Sequence, residues 1–453
     1  VDLRYAKGKI AIMPLKKSIY IVLFLLISLA SARAQVVLNS LEEVWKYADT
    51  HNITILAAKY EVGKSDYAKR QSLSALLPQA TANGSVTDNT VLNTTLIPAS
   101  AFGGPTDSFF KARFGTKYIY TGSITAQMDI LNLQNWFNLR VAKYTYEHSK
   151  SSYANTRKTI YQQLATNYYS YLLMKEAEKL SEQNVLITDS VYQNANNKFQ
   201  TGTTNEISVN TAKINLERSQ ANLITSRYQM LTTVNNLKQL LGLSVNDSLE
   251  ITGTFKVDED VSIVGTFQED PSIALAYTQM KMDYGQYNAA KGAFVPTLNL
   301  SYYTASQQND NKFEPFQKSE SAPWYPAQYW QLKATFPIFT GLNRIWQVKR
   351  NKLAYEESKE QYQSAIKQSA LNDENIRLSY QKAVAVLKKS EDVMHLAFSN
   401  YEHSSYRYEA GIAPVDDRLN AFSNYIDYQN QYLSNLSDML VQLYQLKIRQ
   451  QSF

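Results

Sequence analysis

The chain has 453 residues with 46 basic and 40 acidic side chains and no cysteine. Without Cys there is no disulfide, no thiolate metal site and no lipid-modified N-terminal Cys. Residues 1–34 hold six of the basic side chains and one of the acidic, leaving 40 against 39, so the rest is nearly neutral and a nucleic-acid partner has no electrostatic basis.

Taken in order, the chain opens on a leader. Residues 1–12 contain no initiator, and Met13 is the expected start. Lys16 and Lys17 form a charged region, residues 19–29 an apolar stretch, and Ala32-Arg33-Ala34 a small-x-small cleavage site that leaves Gln35 as the first mature residue. That apolar run is short for a transmembrane helix, and no longer one follows. A helical pattern then stops at Leu76-Leu77-Pro78, because the residue before a proline is pushed out of the α region. Residues 79–91 alternate weakly between apolar and polar. Residues 118–130 alternate with period two: Tyr118, Tyr120, Ile124, Ala126, Met128 and Ile130 share one face, with Thr121, Ser123, Thr125, Gln127 and Asp129 on the other. Between them, residues 93–116 are rich in Gly, Pro, Ser and aromatics and read as an exposed loop.

From Ser123 to Thr201 neither Gly nor Pro interrupts, and Ile160, Leu164, Tyr168 and Tyr171 recur at helical spacing, the pattern of long helices packed side by side. Gly202 follows, then 39 residues free of Gly and Pro up to Leu241. A mixed segment, residues 243–270, leads to a second pass through the same order. Phe294-Val295-Pro296 ends a helical pattern, and Leu298, Leu300 and Tyr302 alternate with Thr297, Asn299 and Ser301. After the loop 306–328, Trp330, Leu332, Ala334 and Phe336 alternate with Gln331, Lys333 and Thr335. Residues 342–410 make a 69-residue run without Gly or Pro, long enough for a helix of roughly 100 Å. Gly411 and a further 39-residue run from Val415 close the chain.

An internal repeat is therefore visible, with Phe199 and Tyr408 each three residues before the lone Gly202 and Gly411. It divides the chain into 1–34 as leader, 35–242 as first repeat, 243–270 as linker and 271–453 as second repeat. Helices alone would suit an ordinary soluble coiled coil. The alternating segments, each about ten residues, have the length of tilted strands crossing a bilayer with one face to lipid and one to water. Four strands cannot close a barrel, so either several copies share one or the strands are soluble hairpins. The 33 tyrosines suit bilayer interfaces and tunnel walls as well as wide helix seams.

With Leu41-Glu42-Glu43-Val44-Trp45 and Ala48, both proline-terminated helix ends, the junction Phe336-Pro337-Ile338-Phe339-Thr340-Gly341 and both Gly turns in this order, the mature chain resembles the TolC-like outer membrane efflux family. The resemblance implies a mixed, mainly α fold. Long antiparallel helices would form a coiled-coil barrel, a periplasmic tunnel with residues 243–270 at its waist, and each protomer would give four transmembrane β-strands to a twelve-stranded barrel shared by a homotrimer. It implies export of small molecules from the periplasm to the exterior, as the exit duct of a tripartite pump with a periplasmic adaptor and an inner-membrane pump. The exit channel of a type I protein secretion system and a non-channel periplasmic coiled-coil scaffold are the alternatives.

No catalysis or cofactor is expected. The closest of the four histidines, His395 and His403, are eight residues apart with no Cys or carboxylate cluster to complete a metal site, and no phosphate loop or nucleophile elbow occurs. Gly202 and Gly411 are the expected ends of antiparallel helices, placed at the tunnel tip where an adaptor would dock. By resemblance, acidic residues six and nine positions after the second Gly ring the closed entrance. Here those positions are Asp417 and Asn420, with an additional Asp416. The family's tip tyrosine matches Tyr408, whereas its Arg is Ala413 and the Asp of its first repeat is Ser208, which departs from an ion-pair latch. Asp416 and Asp417 are also ordinary residues for a helix start, favoured by the N-terminal dipole.

Overall fold

A computed structural model describes residues 36–253, 267–314, 322–451 and 453. The leader with Met13 and the cleavage site before Gln35 lies outside the described residues, as do parts of segment 243–270 and of the loop 306–328. The elements in chain order are β1 (Val36–Leu38), α1 (Leu41–His51), α2 (Ile53–Ser74), β2 (Gln79–Asp88), β3 (Thr94–Pro98), β4 (Phe109–Arg113), β5 (Tyr118–Leu131), α3 (Leu133–Gln200), α4 (Glu206–Leu241), β6 (Leu249–Ile251), α5 (Pro271–Gly292), β7 (Thr297–Asp310), β8 (Trp324–Thr335), α6 (Asn343–Glu409) and α7 (Val415–Gln450). Among the described residues no helix is long and apolar enough to cross a membrane.

Contacts sort the chain into two units, each drawing on both sequence halves. One comprises residues 57–155 and 269–371. Its sheet has the order β2-β5-β7-β8 with every neighbouring pair antiparallel, running from Gln79 opposite Gln127 to Thr297 opposite Thr335. The connecting helices keep the strand order. Ser65 on α2 meets Ser149 on α3 at 2.6 Å, His148 on α3 meets Thr278 on α5 at 3.2 Å, and Tyr284 on α5 packs on Tyr355 of α6 with centroids 5.1 Å apart. Gly285 lets α5 approach closely, since a Cβ there would lie 2.9 Å from Val141. The outer strands are bare: every residue of β2 is exposed, and so is β8 beyond Trp324.

Residues 93–116, expected as loop, contain a separate hairpin of β3 and β4 with a 3-10 turn at Ala99–Phe102. Its five-residue strands are largely exposed, so no burial pattern imposes the alternation that marks a strand in a sequence.

The other unit comprises the described residues of 36–56, 156–268 and 372–453. A short parallel pair, β1 with β6, brings residues 36–38 beside the middle segment. The Ser40 hydroxyl accepts from the Glu43 amide to start α1, which buries Leu41, Val44, Trp45 and Ala48. Trp45 stacks on Tyr161 at 4.8 Å, and its indole N–H donates to the Tyr161 carbonyl at 3.1 Å. Beside it, Arg157 donates twice to Asp49 at 2.8 Å and the Tyr161 hydroxyl donates to the same carboxylate, also at 2.8 Å; burial and that bond push the Tyr161 phenol up to about 12. Arg449, 3% exposed, grips Asp373 with two bonds of 2.6 and 2.8 Å and donates to the Gln268 carbonyl, joining α7, α6 and the middle segment.

Gly242 ends α4 at φ +71°, and a Cβ there would collide with the backbone carbonyl of His51. Gly63, within α2, has nothing within 4 Å of the same position. Gly242→Ala should lower the apparent melting temperature, combining a left-handed penalty of about 1–2 kcal/mol with the clash. Gly63→Ala should raise stability by about 0.5–1 kcal/mol. Thermal circular dichroism of the two variants checks the opposite signs.

Candidate functional site: the paired helix turns

Both glycine turns end their helices with the same pattern of hydrogen bonds. After α3 the Gly202 N–H donates to the Phe199 carbonyl at 3.0 Å and the Thr203 N–H to Lys198 at 2.8 Å. After α6 the Gly411 N–H donates to Tyr408 at 3.1 Å and the Ile412 N–H to Arg407 at 2.9 Å. These are Schellman closures, which require a left-handed residue, and Gly202 and Gly411 supply φ of +72° and +73°. Neither has an atom within 4 Å of a Cβ position, so backbone conformation rather than close approach selects glycine.

The next helices start differently. Asn205 caps α4, its side-chain oxygen accepting from the Ser208 amide at 2.9 Å. Pro414 stands at the cap of α7 with no side-chain bond, and the first turn carries Asp416 and Asp417 instead. Two carboxylates beside the uncapped amides are favoured by the helix dipole. Asp417 and Asn420 are exposed, whereas Asp416 is half-buried with Oδ1 shielded from solvent and unpartnered.

Tyr408 and Phe199 hold equivalent positions but unlike environments. Phe199 is 44% exposed, whereas Tyr408 is 7% exposed in a cluster of Val191 and Ala195 from α3, Ala212 from α4, and Val415 and Leu419 from α7. The Tyr408 ring has cations on it from two helices: Lys198 Nζ is 4.1 Å from its centroid and the Arg418 guanidinium carbon 5.4 Å. Lys198 and Arg418 escaped the sequence reading, because a cation over a ring has no spacing signature when its partner comes from another helix. Behind the cluster a cavity of about 320 Å³ opens between α3, α4 and α7. Leu419 and Phe422 line one end, and the paired hydroxyls of Thr188 with Ser219 (2.7 Å) and Ser181 with Ser226 (3.2 Å) line the seam.

The arrangement has the means to pack, cap and present charge, without a nucleophile activated by a base. Among the described residues no group of His, Asp and Glu is placed to hold a metal ion.

A family model described as outer membrane efflux protein matches residues 46–243 and 265–447, most of the chain. The chain belongs to the outer membrane efflux protein family. Family membership places it in the outer membrane, with its helical part extending into the periplasm. Solved structures share the fold. CusC, whose structures concern folding and transmembrane channel formation, matches with TM-score 0.73 and 13% identity over 91% of this chain and 92% of that one. The outer membrane protein VceC of Vibrio cholerae matches with TM-score 0.72 and 18% identity over 90% and 95%, and the open state of the MtrE outer membrane channel of Neisseria gonorrhoeae with 0.70 and 17% over 90% and 88%. A curated relative, toxin and drug export protein A of Aggregatibacter actinomycetemcomitans, is 24% identical over 162 residues, and the match spans about a third of either protein.

Because glycine at 411 serves conformation alone, Gly411→Val should strain this family member's second turn without touching the sheet. The expected outcome is a folded, membrane-inserted protein whose turn is cut faster by protease and whose export activity falls. Limited proteolysis alongside an efflux assay in a deletion strain checks it; normal export would remove the turn from function.

Proposed function

We propose that three copies of the chain assemble into an outer membrane duct, each giving β2, β5, β7 and β8 to one twelve-stranded barrel, with the helices continuing as a periplasmic tunnel. The observation that carries this reading is the sheet itself. It has two unpaired edges, β2 and β8, and strands of 10 to 14 residues, enough to cross a bilayer when tilted. An edge left open in hydrocarbon is prohibitive, and pairing β8 of one copy with β2 of the next abolishes every edge at once. The repeats 35–242 and 271–453 then act as one architectural unit used twice, joined by 243–270 at the waist.

In this reading the duct is passive and serves as the exit of a tripartite efflux pump, with an adaptor and an inner-membrane pump supplying substrate and energy. Ile207 and Ile412, each 71% exposed beside the turns, offer apolar anchors for an adaptor at the tip. The relative from Aggregatibacter actinomycetemcomitans is named for toxin as well as drug export, which favours a type I secretion exit as the second reading.

The mature protein should run as a trimer in mild detergent and convert to monomer on heating before electrophoresis. A folded, monodisperse monomer would sink the barrel.

At the entrance, Asp417 from three copies would form a carboxylate ring facing the axis, while half-buried Asp416 would serve the helix start. Carboxylates converging at a narrow mouth favour cations. In planar bilayers, Asp417→Asn should therefore lower cation over anion preference about twofold or more and weaken block by trivalent cations, and Asp416→Asn should do so less. Unchanged reversal potentials in the double variant would leave both residues as helix-start charges.

A further inference from the structure

All four strands meet their helices along one rim of the sheet: β5 and β8 end there at Leu131 and Thr335, and β2 and β7 begin there at Gln79 and Thr297. Large apolar side chains stand in solvent along it, among them Leu77, Leu131, Phe336, Ile338 and Phe339, the last two 95% and 79% exposed. Such a band on a protein of the outer membrane marks the level at which hydrocarbon gives way to headgroups.

Immediately on the helix side of that rim, a groove of about 430 Å³ lies between the last turns of α2 and the first turns of α3. Its walls carry four cations, Lys69 and Arg70 from α2 and Arg140 and Lys143 from α3. Leu73, Trp136 and Leu139 complete the lining, with Trp136 56% exposed. Asp66 takes Lys69 at 2.6 Å and Arg70 at 3.0 Å, which fixes the α2 pair and leaves the group strongly positive. Arg140 and Lys143 are exposed and, among the described residues, have no ion-pair partner.

Distance puts Arg140 within side-chain reach of the headgroups. At about 1.5 Å per residue, Trp136 lies roughly 8 Å, Arg140 roughly 14 Å and Lys143 roughly 18 Å beyond Leu131. Side chains on a helix lean toward its N-terminus, which for α3 is the rim, so Arg140 reaches back to the outer edge of a headgroup layer about 5–7 Å deep, with the charge of Lys143 behind it. A solvated charge patch has no need of Trp and Leu between its cations; a lipid has, because its phosphate is followed within a few ångströms by glycerol and acyl carbon.

We propose that this groove binds the headgroup of an anionic phospholipid of the periplasmic leaflet, Arg140 contacting the phosphate, Lys143 adding positive charge behind it, and Trp136, Leu73 and Leu139 packing on the headgroup's glycerol carbons. The site fixes the depth and tilt of α2 and α3 against the membrane. It rests on the reading of β2, β5, β7 and β8 as membrane-spanning.

The test is native mass spectrometry of the detergent-purified full chain after mixing with phosphatidylglycerol or phosphatidylethanolamine, comparing wild type with Arg140→Gln/Lys143→Gln. Wild type should retain phosphatidylglycerol about tenfold more strongly than phosphatidylethanolamine, and the double variant should lose that preference. Inorganic phosphate at about 50 mM should not displace the lipid, since it screens the ionic contacts but leaves the apolar ones intact. Equal preference in wild type and variant, or displacement by phosphate, overturns the proposal. Should the double variant not assemble, each single substitution should halve the preference or more, and an unchanged preference in both singles overturns it equally. Failure of wild type to form a heat-modifiable trimer would count against the barrel, whereas intact trimers with unselective lipid retention would count against this site alone.

Discussion

A backbone N–H or C=O carried into hydrocarbon without a partner costs several kcal/mol, and the sheet presents one unpaired row on β2 and another on β8. That requirement organises the rest of the unit. In the proposed duct it calls for further strands from other copies, and it puts the first and last helices of the layer, α2 and α6, at the lateral boundaries, because helix order repeats strand order. The interior helices α3 and α5 meet with Gly285 against Val141 and with His148 against Thr278. A sheet with two bare edges and exposed apolar side chains is what the proposed ring of copies would complete, since a closed symmetric assembly leaves no edge unpaired.

What the amino-acid sequence made legible follows from periodicity. The segment 118–130 alternates and is a strand to Leu131; the Gly- and Pro-free run to residue 410 is a helix to Glu409; prolines 78 and 296 separate helix from strand. Each of these signals is local and repeated over many residues. The hairpin of β3 and β4 and the three-residue pair β1–β6 carry no such signal. Five exposed residues need no alternation, and a parallel pair whose partners lie more than two hundred residues apart, Val36 opposite Leu249, is specified by the surrounding fold.

The turn residues show the same division at finer scale. Gly202 and Gly411 are readable because only backbone conformation is asked of them. Tyr408 and Phe199 look equivalent in the sequence and are not, since Tyr408 is enclosed by residues of three other helices while Phe199 faces solvent. Burial of that kind depends on which helices arrive beside the turn. Asp416 and Asp417, adjacent in sequence, likewise part company, because successive residues on a helix are rotated by about 100° and only one of them faces outward.

The two repeats have kept their lengths more strictly than their side chains. The helices flanking the turns run 68 and 36 residues in the first repeat, 67 and 36 in the second. Inserting one residue would advance a helix by about 1.5 Å and turn its faces by about 100°, so the joint cluster of Ala195, Ala212, Tyr408 and Val415 forms only while both repeats arrive at the same level in the same rotation. Side chains within that fixed frame were free to diverge. At matching positions of the repeat Asn205 corresponds to Pro414, Phe199 to Tyr408 and Ser208 to Asp417, so one turn holds a side-chain cap and no pair of carboxylates while the other holds carboxylates and no cap. The repeat presents two equivalent turns, and the matched helix lengths bring them together. The differences between them sit at the helix starts, where the exposed charge of Asp417 leaves the packing beneath it unchanged.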